Sequence, residues 1–354
     1  KFYLKTYLGE ENDNVTIFAD KFNSDQPSSG NVFKLNSNSI NLSDSKVKIT
    51  DENISQQEIF NLSKINIDSN NFSIEGPEVK IGINQLSLFA KRGFEIKNLR
   101  GNFSYGLTSM KLTEMNLRTG GSLIKGDIIM NYKNGEISDF VNKVNLDVQF
   151  DDTKISTNDL NAFYDEFGNN QIITINGHLK GTLNDFSFAS GEISSGVINI
   201  KGDYNFTDLL SKENDFAIYA TNHSIEANYN SLSRFMPNVL GKVLPKEIKY
   251  LGNIKFNGST TITKTSLTTS SKLISSLGSA KINVNIHNLN DEEKANYIGD
   301  IDFTNFNLGS FANTESLGTI TSKLNIEGVG FTQNSLEAKV TGDINSFIFE
   351  DYNY

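Results

Sequence analysis

Three histidines, His178, His223 and His287, are the only imidazoles this chain offers for metal binding or proton transfer. Each lies on a different segment, far from the others, without helical or knuckle spacing, so all three are expected on the surface. The neighbouring carboxylates Asp151 and Asp152 would point to opposite sides of a strand, which is poor geometry for sharing a proton. Asp300 and Asp302 share a side, but such a pair is ordinary among 42 acidic residues. The run Glu10-Glu11-Asn12-Asp13-Asn14 lacks the loop glycine and closing glutamate of a calcium-binding EF-hand, and reads as a solvated turn. There is no cysteine, hence no disulfide, thiolate site or cysteine nucleophile. No phosphate loop, dinucleotide fingerprint or nucleophile elbow occurs. Glycosylation triplets at Asn71 and Asn205 are unremarkable among 47 asparagines. No catalytic residue, metal site or cofactor is assigned, and the chain is expected not to be an enzyme.

Composition narrows the remaining classes. With 32 basic and 42 acidic residues, the net charge is −10, which argues against a nucleic-acid partner. Mean hydropathy is −0.35, and no apolar run is long enough for a transmembrane helix. The chain does not begin with Met, so it is expected to be an internal piece of a larger protein. Twenty-five Phe, no Trp and only four Pro suggest many pleated segments joined by Asn and Gly turns.

Period-2 alternation dominates. Ile282, Val284 and Ile286 share one side of their segment, while Asn283 and Asn285 take the other. The same pattern places Val144, Leu146, Val148 and Phe150 together, as it does Ile198 with Ile200 and Ile254 with Phe256. Tyr297, Ile301 and Phe303 follow it, as do Leu324 with Ile326 and Val340 with Ile344. Turn signals such as Asn134-Gly135, Asn176-Gly177 and Asn257-Gly258 predict a meander of roughly 25 antiparallel strands. No linker divides the chain, so 1–354 reads as one continuous elongated segment of all-β fold. Four Gly-Asp pairs, at 126–127, 202–203, 299–300 and 342–343, mark a weak repeat; glycine inside a strand permits a bulge or a close approach.

Two helical interruptions are expected. Near 156–168, a capping box at Ser156 precedes Leu160, Phe163, Tyr164 and Phe167 at helical spacing, with Gly168 to end it. Over 231–245, Leu232, Phe235, Met236, Val239, Leu240, Val243 and Leu244 make an apolar stripe. Pro237 should kink that helix or split it in two. Its expected place is over or beside the apolar side of the sheet, as a lid or rim.

Half-apolar strands without a helical layer must pack on a second sheet, close into a barrel, or curl so that the apolar side lines a groove. A curled sheet of this strand number would present a long apolar trough, well above the exposed patch of an ordinary monomer. Acyl chains match such a trough. The residues grouped above are its expected lining.

Several segments carry a further signal in their order along the chain: Ser156 to Gly168; Ser231-Leu232-Ser233-Arg234-Phe235-Met236-Pro237 through Leu244-Pro245; Leu251-Gly252-Asn253; Tyr297-Ile298-Gly299-Asp300; Phe306 to Phe311; and Ile326-Glu327-Gly328-Val329-Gly330-Phe331. In that order they resemble the TamB proteins of Bacteroidetes, which are relatives of AsmA-like proteins. The resemblance implies a long curled β-sheet, a taco-like groove, in the periplasm of a Gram-negative cell. It implies an inner-membrane anchor and an Omp85-family outer-membrane barrel as partner, both engaged through regions outside this segment. The implied function is carriage of phospholipid between the two membranes. An alternative within the same resemblance is a scaffold for outer-membrane protein assembly and secretion. A reading from another class is an extracellular β-solenoid adhesin with a filled core.

Overall fold

A computed structural model describes residues 1–14, 16–17, 32–55, 58–91, 93–162, 165–211, 215–332, 334–350 and 352–354, with Val243 described by its backbone alone. Strands hold 64% of the residues and helices 11%, so the protein is all-β. Among the described residues, no helix is long and apolar enough to cross a membrane. The chain forms two compact units, residues 1–135 with 150–163, and residues 136–149 with 164–354.

The first unit is a hairpin meander of β2 (Lys34–Asp51), β3 (Glu58–Glu75), β4 (Glu78–Ala90), β5 (Glu95–Tyr105), β6 (Ser109–Thr119) and β7 (Leu123–Asn131). Each strand pairs antiparallel with the next. A short β1 (Phe2–Thr6) adds to β2 in parallel. Directly opposed residues of paired strands share a face. Leu42, Ile67, Leu86, Leu99, Leu117 and Ile124 are successive opposed partners, one apolar row across six strands. β8 (Asn145–Ser156) begins in the second unit and ends in the first.

The second unit continues the pattern. Its strands are β9 (Ile172–Gly181), β10 (Phe186–Ser195), β11 (Ile198–Thr207), β12 (Ala217–Asn228) and β13 (Asn253–Thr263). They continue as β14 (Ser266–Ser275), β15 (Gly278–His287), β16 (Asn296–Asn307), β17 (Leu317–Val329), β18 (Glu337–Phe349) and the two-residue β19 (Tyr352–Asn353). All successive pairs are antiparallel. The described residues hold 19 strands, fewer than the roughly 25 expected. The difference lies in strand length: β2 and β3 run for 18 residues each, because bulges let a strand keep pairing where strict alternation breaks.

Those bulges have a common chemistry. Register shifts at Leu112/Met115, Phe188/Gly191 and Phe303/Phe306 each contain a residue with φ near +50°: Glu114, Ser190 and Asn305. This left-handed turn aims the bulged N–H away from its regular ladder partner. A side chain on the neighbouring strand accepts that hydrogen. Asp127 Oδ1 lies 2.7 Å from Glu114 N and Asp203 Oδ1 2.9 Å from Ser190 N, while Thr321 Oγ1 lies 3.1 Å from Asn305 N. Two of the four Gly-Asp pairs thus provide the acceptor for a bulge. The other two do not: Asp300 accepts from Asn325 Nδ2 at 3.1 Å, and Gly342-Asp343 faces the unbulged Leu324 and Lys323. Their glycines answer a closer approach. Gly299 has φ +159°, and a Cβ there would strike the carbonyl oxygen of Asn283.

The helices are shorter than expected. Near 156–168 only Thr157–Leu160 is helical, with Ser156 Oγ capping Asn158 N; Phe163 and Tyr164 lie outside the described residues. One turn carries little stability of its own. The segment is held instead by side chains. Asp159 accepts from the hydroxyls of Thr119 and Ser122, and the Gly168 N–H donates to Phe235 O at 2.9 Å. The second interruption splits into Tyr229–Phe235 and Leu240–Val243, followed by a 3-10 helix, Lys246–Leu251. The break brackets Pro237, as the missing donor and the ring clash require.

Candidate functional site

Nothing among the described residues gathers three or more metal-ligating side chains. The feature that stands out is one face of the second unit. Ile175, Ile193, Ile200, Ile225, Phe256, Leu273, Ala280, Phe303, Ser322 and Ile344 are successive opposed partners on ten strands, β9 to β18. Nine of the ten are apolar. Six residues further along, or seven on the bulged β10 and β12, runs a second row over β10 to β16: Phe186, Phe206, Ile218, Ile262, Leu267, Ile286 and Tyr297. The rings of Phe186 and Phe206 stack with centroids 4.5 Å apart. At the strand spacing of ~4.8 Å and rise of ~3.3 Å, the face between these rows, over the seven strands they share, covers on the order of 650 Å², slightly above the largest apolar patch of a typical monomer.

The expected lining residues fall together here. Ile282, Ile301 and Leu324 form one row, and Val284 and Ile326 flank Gly299 in the next, which ends on Val340. Ile198 and Ile254 alternate with Ile200 and Phe256 and so point the same way. On β8, Leu146 and Val148 are buried. Their neighbour Asp147 reaches His178 Nε2 at 2.6 Å, on the opposite face of the sheet, which sets Leu146 and Val148 on the apolar one. Val144, fully buried, precedes β8 as a helix C-cap, and Phe150 is half-buried in the part of β8 that belongs to the first unit.

The two faces differ in exposure from β13 to β17, whereas on β18 the expected lining residues Val340 and Ile344 are exposed, at 55% and 58%. On the other side, Asn257, Lys272, Lys281, Asp302, Lys323 and Asp343 are successive opposed partners, a row of charges and amides. Apolar-face residues such as Ile282, Ile286, Ile301 and Leu324 are half-buried, and Val284 and Ala280 are buried. A flat single layer would expose both faces alike, so the sheet curls towards its apolar side. Among the described residues, helices cover strand ends, including Leu273 and Phe303 of the long row. Ile248 and Leu251 from Lys246–Leu251, and Leu308 and Phe311 from the helix Leu308–Ala312, pack with Ile254, Leu273, Phe303, Phe306, Ile320 and Phe347. Of the expected lid, Phe235 is buried against Phe167 with ring centroids 5.8 Å apart. Leu232, Met236, Leu240 and Leu244 are half-buried and Val239 is exposed.

Sequence reasoning missed one group on this face. His223 is 2% exposed, where a surface position was expected. The left-handed Asn222 bulges β12 between Ala220 and His223 and swings the imidazole to the apolar side. There Nε2 lies 2.8 Å from Thr260 Oγ1 and Nδ1 3.3 Å from Phe256 O. Thr260 joins Thr269 at 2.9 Å, and Thr269 joins Ser271 at 2.9 Å. This chain of hydroxyls satisfies itself within an apolar surround, as buried polar groups must. Burial pushes the His223 pKa down, and backbone contacts only partly oppose it. Tyr204, on the same face opposite Ala220, is pushed up to about 12 by burial and then by the Asp203 charge. Both groups stay neutral at pH 7, as a low-dielectric face dictates.

No known protein family, curated protein or solved structure matches this chain.

Proposed function

We propose that this protein binds the acyl chains of lipids on the apolar face of its curled sheet and carries them along it, without covalent chemistry. The observation that carries the reading is the cross-strand register: nine apolar residues and one serine follow one another over ten strands, on a half-sheltered face whose described helices pack at strand ends. Such a face offers dispersion contacts, and the hydroxyls around His223 on it are bonded to one another, which suits a chain that must slide. The resemblance to TamB proteins supplies the setting. In this reading the protein is part of a periplasmic bridge that carries phospholipid between the inner and outer membranes. An inner-membrane anchor and an Omp85-family barrel would be engaged through other regions of the larger protein. Mass spectrometry of protein purified without detergent tests the binding step. Phospholipid bound in stoichiometric amount is expected, and a lipid-free preparation counts against the reading.

A second reading has its own observation. β18 pairs with β17 along its length but meets β19 only at Ile348 and Phe349. Among the described residues, its far edge over 337–346 has no strand partner, and an open edge can template an incoming strand. A scaffold for outer-membrane protein assembly would use that edge. Crosslinks from β18 to unfolded barrel protein, undiminished by charges placed on the apolar face, are its expected signature.

A further inference from the structure

The first unit holds a cavity that the register of the second does not account for. It measures about 560 Å³, within the range of small-ligand pockets. Phe60, Leu62, Leu88, Ala90, Phe94 and Ile96 contribute to its lining. Leu62 opposes Ala90 and Leu88 opposes Ile96, so these four share one face. The turn after β4 closes one side. Ala90 N donates to Phe94 O at 2.8 Å, and Lys91 N donates to Asn61 O at 3.0 Å, folding the turn back onto β3. Phe60 and Ile59 remain exposed at the mouth, at 55% and 38%.

Charges stand at one end of this apolar pocket. Glu58 Oε1 lies 3.0 Å from Lys91 Nζ and Oε2 lies 3.1 Å from Lys48 Nζ. Asn61 Nδ2 donates to the same Glu58 Oε2 at 3.1 Å. Lys48 stands opposite Asn61 and outside the lining, so the cluster carries one net positive charge and Lys91, 70% exposed, is its ammonium group at the rim. An apolar pocket under a cationic rim complements a molecule with an apolar tail and an anionic end.

We propose that this pocket binds one acyl chain carrying a terminal anionic group, with the tail among Phe60, Leu62, Leu88 and Ile96 and the anion beside Lys91. The class of ligand rests on the lipid-carrying reading; the place rests on the pocket alone. The anion has two sources, a fatty-acid carboxylate or a lysophospholipid phosphate.

The test is calorimetric titration of the whole chain with palmitate, palmitoyl lysophosphatidylglycerol and uncharged hexadecanol. Lys91→Glu, at an exposed position, should weaken both anions about tenfold and leave hexadecanol within about twofold. Ala90→Trp fills the pocket and should weaken all three about tenfold. A tighter palmitate assigns the carboxylate and a tighter lysophospholipid the phosphate, and either supports the site. Unchanged affinities in Lys91→Glu overturn it. Ile301→Asp, in the other unit, separates the two readings. If it abolishes palmitate binding while Ala90→Trp does not, the pocket is refuted and the long face stands. If Ala90→Trp abolishes binding and Ile301→Asp changes neither binding nor co-purified lipid, the pocket stands and the long face falls.

Discussion

Ile301 and its neighbour Asp300 make the most direct pair of probes for the apolar face. Ile301 is half-buried between Ile282 and Leu324, while Asp300 is exposed on the other side. Ile301→Asp should leave strand content intact and abolish lipid binding on that face, because a carboxylate there drags water into the acyl path. Asn283→Asp, on the outer face, should be nearly silent. Equal lipid binding by both variants would sink the assignment of faces. Val284 is a poorer probe, since at 6% exposure a carboxylate must be desolvated, which costs more than the roughly 2–7 kcal/mol of an uncharged polar group, or be protonated. Glu58 allows a pH test. Lys91 first, then Lys48, hold its pKa down to about 2, from an ordinary 4.5. The folded-state value is depressed, so its ion pairing contributes above pH 4.5 and is lost as the pH falls towards 2. Carboxyl NMR of Glu58 should titrate near pH 2; a midpoint near 4.5 would show that the lysines do not hold it. At this scale the sequence was legible where parity held, as in β15 with Ile282, Val284 and Ile286. It was illegible at His223, because a bulge at Asn222 shifts the parity and nothing in the local pattern announces it.

Strands, bulges and caps form the next scale. Asp127 and Asp203 each satisfy the N–H of a bulged residue on the preceding strand. Asp127→Ala or Asp203→Ala should therefore cost about 1–2 kcal/mol in urea unfolding. Asp343→Ala, with the same Gly-Asp motif but no bulge opposite, should cost less than about 0.5 kcal/mol. Equal losses would mean that the motif has one role everywhere. The motif could be found in the sequence, but its partner could not, since the accepting Asp and the bulged residue are 13 positions apart. The interruption at 229–251 is the element most able to move. Its helices have seven, four and six residues, too short to be stable apart from their packing. Amide exchange there should run faster than in β12 and β13, and slower exchange would tie it rigidly to the sheet. Apolar spacing and Pro237 foretold both helix and break, but the one-turn helix after Ser156 was overread. Its stripe fits helical spacing, but side-chain contacts to Asp159 and a backbone bond from Gly168 fix the segment another way.

Taken whole, the chain exposes 21764 Å², where two compact bodies sharing its 39.3 kDa would expose roughly 17,000 Å². The excess accords with sheets whose apolar sides are sheltered but not filled, and a sequence of alternating segments foretells it. Antiparallel hairpins from β9 to β18 also depart from the filled-solenoid reading, which needs coils stacked around a closed core. What alternation alone does not reveal is which apolar rows join across strands, because register depends on bulges. Photo-crosslinking addresses the central claim through that register. A benzoylphenylalanine placed at Ile326, on the apolar face, should capture phospholipid in cells. The same probe at the adjacent Asn325, on the exposed face, should capture none. Lipid adducts confined to position 326 are the predicted result; no adduct at 326, or equal adducts at both positions, would contradict a lipid-carrying face.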